Sequence, residues 1–185
     1  MSQINTEPLA HELPTAIDAI VRTALEELIR EMTAFGWSGQ REREIVSLFC
    51  FGPLLSQVRA GAVLHDPRQI GIEVAVPQVS SQRQLSGRSG SKQQVTKDIV
   101  LWSAPRQTCW DSFCAPTVRP IAVLEWKHNV SRASAYDLGW LQAFSADAPT
   151  FAGYAVTSGG TGRHFHLNCS RVHLGAVDSE WLTLG

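Results

Sequence analysis

An acid and a base stand at the end of an apolar run within RPIAVLEWKHN, residues 119–129. Residues 121–124 are uniformly apolar, as in a buried strand, and Glu125 and Lys127 follow directly. Because side chains alternate along a strand, Glu125 and Lys127 should share one face about 6.6 Å apart, with Trp126 on the other. Charged residues are rarely buried unless they are paired. The pattern therefore indicates either a structural ion pair or a site with chemistry.

A second acid, Asp98, begins another apolar segment, DIVLW, and can lie beside Glu125 if the two strands pair at the usual spacing of about 4.8 Å. Two close carboxylates repel each other, and Mg²⁺, which prefers hard oxygen ligands, would remove that repulsion. Mg²⁺ activates a bound water and neutralises charge on a phosphoryl oxygen, and Lys127 would stabilise the remaining charge. This set predicts phosphodiester hydrolysis with Mg²⁺, or with Mn²⁺ in its place. The alternative is a surface ion pair that contributes little.

The order of predicted elements places these residues on an α/β fold. Helical periodicity over 14–35 and 41–58 is followed by three β-rich segments, a helix with an aromatic stripe, and a fourth strand. Gly52-Pro53 should kink the second helix. Strands both before and after a helix predict a mixed sheet covered by helices. The segments are 70–79, 97–102 and 120–127 for the first strands, 131–148 for the helix, and 151–158 for the fourth strand.

Asp98 followed by Glu125-x-Lys127 resembles the signature of the PD-(D/E)XK nuclease superfamily, which has the restriction-endonuclease-like fold. The segments EREIV (42–46) and SGRSGSKQQVTKDIVLW (86–102) are also similar to archaeal Holliday-junction resolvases. The proline of the family signature is absent, because Lys97 precedes Asp98. The resemblance implies a three-layer α/β/α architecture with a mixed sheet and an αβββαβ core. We assign this domain to residues 41–185 and an N-terminal arm with an amphipathic helix to 1–40.

The resemblance also implies roles for individual residues. Asp98 and Glu125 would bind the metal, with the Trp126 carbonyl as a further ligand, and Lys127 would act in catalysis. The family places another acid on the first helix, where Glu42 lies nearer the apolar face than Glu44; Glu42 is favoured and Glu44 is the alternative. The implied activity is nucleic-acid hydrolysis, with DNA as the favoured substrate. The alternative function is a non-catalytic nucleic-acid-binding or assembly protein that keeps the fold.

A basic segment precedes Asp98. Residues 77–97 contain no acid and are rich in serine, glutamine and glycine. A cationic loop of this kind predicts contacts with the phosphates of double-stranded or branched DNA, without sequence reading; a solvated polar loop is the alternative. Its basic residues are Arg83, Arg88, Lys92 and Lys97.

Composition narrows the function classes. The chain has 185 residues, 44% of them apolar and 18% charged, which suits one folded domain. A net charge of −1 argues against a non-specific nucleic-acid coat protein. We find no signal-peptide pattern and no apolar run of membrane-spanning length, so we predict a cytoplasmic protein without a membrane partner and with four free cysteines. The first helix is either a packing helix or the contact of a homodimer.

Overall fold

The computed structural model describes residues 12–36, 41–79 and 93–185. These residues form helices on both sides of a six-stranded sheet, with a few short 3₁₀ turns in the connections. The elements are α1 (Glu12–Phe35), α2 (Glu42–Phe49), β1 (Ile70–Pro77), β2 (Gln94–Leu101), β3 (Ala122–His128), α3 (Ala135–Ser145), β4 (Ala152–Gly159), β5 (His166–His173) and β6 (Ala176–Leu184).

The sheet is mixed, and its strands lie in chain order from β1 to β6. All neighbours pair antiparallel except β3 and β4, which are parallel and connected through α3. Alternate residues of the strands pack on α1 and α2 on one face and on α3 on the other. The predicted α/β class, the three-layer arrangement and the order αβββαβ are confirmed.

Helix α1 is part of this core, so the assignment of residues 1–40 to a separate arm is corrected for the described residues. Its apolar stripe packs in the same cluster as α2 and strands β2 to β5. Tyr154 in β4 also donates a hydrogen bond of 2.7 Å to Asp18 of α1, and the Arg171 guanidinium contacts the same carboxylate at 2.7 Å. The buried residues of α1 are Pro14, Ile17, Val21, Ala24, Leu25, Leu28 and Met32.

The helix predicted over 41–58 changes geometry where Gly52-Pro53 was expected to disturb it. α2 is regular as far as Phe49, and Cys50–Leu54 then form a π-helical turn that contains Pro53. Proline has no N–H for the regular ladder, and a wider turn accommodates its ring. The disturbance lies beyond the first two turns of α2, so Glu42 stays on a regular helix.

Two further expectations concern cysteines and membranes. Cys50, Cys109, Cys114 and Cys169 are all free thiols, as predicted. Within the described ranges, no helix combines the length and the apolar character needed to cross a membrane. A cytoplasmic setting stays a prediction from the sequence.

Candidate active site

The site lies where strands β2 and β3 separate. Their ladder pairs Leu101 with Ala122 and ends at Ile99 and Leu124. Beyond that point, the Trp126 N–H donates a 2.7 Å hydrogen bond to the Asp98 carboxylate instead of to a backbone carbonyl. The side chain of Asp98 therefore takes the place of a ladder partner, and it remains about one quarter exposed. This substitution opens the sheet between the two candidate metal-binding strands.

Strand alternation places Glu125 and Trp126 on opposite faces of the sheet, as the sequence predicted. The Lys127 ammonium, which was expected on the face of Glu125, instead lies against Glu42 of α2. Trp126 points to the α1/α2 face, where its ring lies 5.4 Å from that of Phe49. The Trp126 indole N–H also donates to Ser158 Oγ at 2.9 Å, which fixes the ring. Glu125 points to the opposite face, toward α3, where it meets Lys97 beneath the ring of Trp140. The backbone at 125–127 is thus anchored on both faces of the sheet.

Lys127 connects the two candidate acids that are partly exposed. Its ammonium lies 3.2 Å from Glu42 Oε1 and 3.9 Å from Asp98 Oδ2, and it donates to the Trp126 carbonyl at 2.6 Å. Burial acts to lower the pKa of Lys127, but the carboxylates of Asp98 and Glu42 outweigh it and the pKa is raised. The ammonium therefore stays charged at neutral pH.

Helix α2 delivers Glu42, and not Glu44, to this cluster. Glu42 Oε2 also accepts a hydrogen bond of 3.4 Å from the His128 N–H, so its carboxylate bridges two consecutive residues of β3. Glu44 is exposed on the outer side of the helix. The buried Ile45 and Val46 set the rotation of α2 that separates the two acids.

Glu125 is buried and forms an ion pair with Lys97. Burial raises the pKa of Glu125 from its ordinary 4.5 to about 7; the Lys97 ammonium opposes this rise, and Asp98 and Asp137 add to it. Lys97 is itself fully buried in β2, with its ammonium 4.1 Å from the centroid of the Trp140 ring. The prediction that Lys97 contacts nucleic acid from the basic loop is therefore wrong, because its charge is enclosed within the protein.

Asp137 is a site residue that the sequence analysis missed. It lies in the first turn of α3, which Ser134 caps by accepting from the N–H groups of Tyr136 and Asp137. Its side chain is buried on the face of the helix that carries Trp140 and Phe144. Its negative charge acts to raise the pKa of both Glu125 and Lys127. The available signal was its spacing of three and seven residues from those aromatic residues.

A cleft between α2 and the β1–β2 edge gives access to Asp98 and Glu42. Glu73 lies on its rim with a left-handed backbone, φ 52°, between the paired positions Ile72–Ile99 and Val74–Lys97. Such a conformation costs a non-glycine residue about 1–3 kcal/mol. The Glu73 carboxylate is engaged by Arg43 at 2.8 Å, so this residue acts in an exposed ion pair.

The remaining basic-loop residues, Arg83, Arg88 and Lys92, lie outside the described residues. Within the described part of the chain, no group of three histidine, cysteine or carboxylate side chains is gathered closely enough to hold a metal ion. The carboxylates of the site are instead paired with the two lysines.

Comparisons with known proteins leave the resemblance as a sequence-based expectation. No protein-family model, no curated protein and no solved structure matches this chain.

Proposed function

We propose that this protein is a metal-dependent nuclease of the PD-(D/E)XK type that hydrolyses phosphodiester bonds, with DNA as its favoured substrate. The observation that carries the proposal is the meeting of Lys127 with Asp98 and Glu42 where β2 and β3 separate. Glu125 directly precedes Trp126, whose backbone N–H donates a hydrogen bond to the Asp98 carboxylate. The elements that supply these groups follow the order αβββαβ.

The donor set suits a hard divalent cation. Asp98 and Glu42 supply carboxylate oxygens on the cleft side and Trp126 supplies a carbonyl, which are the ligand types that Mg²⁺ and Mn²⁺ prefer. Glu125 lies on the α3 side against Lys97 and would have to turn toward the cleft to complete the set. When bound, the metal would activate water and neutralise charge on the phosphoryl group. Because Lys97 and Lys127 pair with these carboxylates in the structure, metal binding requires the side chains to exchange partners.

Lys127 is proposed to stabilise charge rather than to abstract a proton. Its raised pKa keeps the ammonium protonated at neutral pH, so it is a poor general base. A fixed ammonium beside Asp98 and Glu42 is instead suited to a phosphoryl oxygen that gains charge during attack by water. This assignment refines the catalytic role that the resemblance implies for the lysine.

Two substitutions separate metal binding from turnover. Asp98→Asn removes a metal-binding charge, so calorimetry should show weaker Mg²⁺ binding and cleavage should be lost. Lys127→Ala removes no ligand, so Mg²⁺ binding should survive while cleavage falls about 10²–10³-fold. Asp147→Asn is the matched control, because this exposed acid pairs with Arg119 away from the site. If Lys127→Ala abolishes Mg²⁺ binding, or Asp98→Asn cleaves normally, the assigned roles are wrong.

A second candidate function is non-catalytic binding or assembly on nucleic acid. It is favoured by one observation: Glu125 is paired with Lys97, and Lys127 with Glu42 and Asp98, so the charges are compensated without a metal. A protein of this kind would bind DNA equally well with and without Mg²⁺. The basic loop would supply its phosphate contacts in either function.

A further inference from the structure

Lys97 is an unusual residue in this fold because its charge is enclosed. It is fully buried in β2, whereas lysines are almost never fully buried unless paired. The carboxylate of Glu125 and the face of the Trp140 ring are the two groups that offset its desolvation. Such a lysine is held in place by its surroundings and is not a solvated surface charge.

The two ammonium groups divide the acids of the site between them. Lys127 lies on the cleft side, against Glu42 and Asp98. Lys97 lies on the α3 side, against Glu125, where Asp98 and Asp137 add negative charge. Lys97 therefore places positive charge beside Glu125, the carboxylate that a metal would need in addition to Asp98.

We propose that Lys97 is a built-in counter-cation. It holds Glu125 in an ion pair, and a divalent cation must break that pair to bind the Glu125 carboxylate. The inference rests on the proposed function, because it takes Glu125 as a metal ligand. Two cations beside one carboxylate repel each other, and in a buried site water screens this repulsion poorly. Lys97 therefore weakens metal binding and stabilises the metal-free state. The Trp140 face gives the ammonium a second partner when Glu125 moves away.

The test is Mg²⁺ titration calorimetry on wild type, Lys97→Met and Lys97→Met/Glu125→Gln. Methionine keeps most of the length and apolar contact of the lysine side chain but carries no charge. Once the affinity is corrected for the proton that Glu125 releases, counted by titrating in two buffers of different ionisation enthalpy, Lys97→Met should bind Mg²⁺ roughly tenfold more tightly or better, because no ion pair has to be broken. The double variant should lose this gain, because the neutral amide that replaces the Glu125 carboxylate does not offer the freed negative charge.

The outcomes separate this inference from the proposed function. If wild type and Lys97→Met bind Mg²⁺ equally, or the variant binds more weakly, Lys97 does not compete with metal and the inference fails while the nuclease proposal stands. If neither protein binds Mg²⁺, both fail. Should Lys97→Met not fold, the ¹H–¹⁵N signal of the Lys97 ammonium in wild type decides. It must shift when Mg²⁺ binds, and an unchanged signal with Mg²⁺ bound overturns the inference.

Discussion

Replacing Lys97 by methionine should destabilise the protein in a way that depends on pH. Lys97 is fully buried, and its ammonium contacts Glu125 and the ring of Trp140. Methionine can keep the apolar contacts, but it leaves the buried Glu125 carboxylate without its cation. Removing one partner of a buried pair costs about 3–5 kcal/mol when the other partner must stay charged.

Glu125 can avoid part of this cost by taking up a proton. Burial already raises its pKa to about 7 in the wild type, against the opposing effect of Lys97. Without Lys97 the pKa in the folded state rises further, because the charge and the hydrogen bond that lower it are gone. The folded state then holds the proton more tightly than the unfolded chain, so raising the pH lowers the stability of the folded state. Above pH 7 the contribution of Glu125 to the free energy of unfolding levels off in the wild type. In the variant the free energy of unfolding keeps falling by about 1.4 kcal/mol per pH unit until the higher pKa of Glu125 is passed.

Urea unfolding of wild type and variant at pH 6 and pH 9 measures this difference. The cost of Lys97→Met should be small at pH 6 and should grow by about 3 kcal/mol between pH 7 and pH 9. In a Glu125→Gln background the growth should vanish, because no carboxyl group remains to titrate. Arg119→Met is the matched control: it breaks the exposed pair with Asp147 and should change stability little at either pH. A cost that is equal at pH 6 and pH 9, or that grows equally in the Glu125→Gln background, would refute the reasoning.

Two other predictions concern the core and the DNA contacts. Tyr154→Phe removes the hydrogen bond to Asp18 that ties β4 to α1, and it should lower the free energy of unfolding by about 1–2 kcal/mol; an unchanged urea midpoint would show that this hydrogen bond does not hold α1. Arg88→Ala combined with Lys92→Ala should weaken duplex binding for all sequences and reduce the salt dependence of affinity, and an unchanged salt slope in a fluorescence titration would show that the loop is only solvated.

Strand alternation explains why part of the site was predictable. The position of Trp126 opposite Glu125 follows from the two-residue period of a strand, and the structure has this arrangement. The selection of Glu42 over Glu44 follows in the same way from the apolar stripe of α2. Both inferences depend only on local periodicity, which the sequence carries directly.

Lys97 was misplaced because its environment is made by residues distant in sequence. Its neighbours in the chain are polar and basic, so it was assigned to the loop. Alternation applied to Lys97 and Asp98 would have sent them to opposite faces of β2. The acceptor of its charge, Glu125, and the ring above it, Trp140, come together only through the pairing of β2 with β3 and the packing of α3. Asp137 was missed because an acid in the first turn is common on any helix, so its position alone does not mark it as a site residue.

The most direct test of the central claim is cleavage of DNA by the purified wild-type protein with Mg²⁺. Supercoiled, linear duplex and four-way-junction substrates should be offered side by side, with EDTA and Asp98→Asn as parallel controls. The account predicts metal-dependent cleavage of at least one substrate, lost with EDTA and lost in Asp98→Asn. Wild type that binds Mg²⁺ and DNA but leaves every substrate intact would contradict it and favour the non-catalytic function.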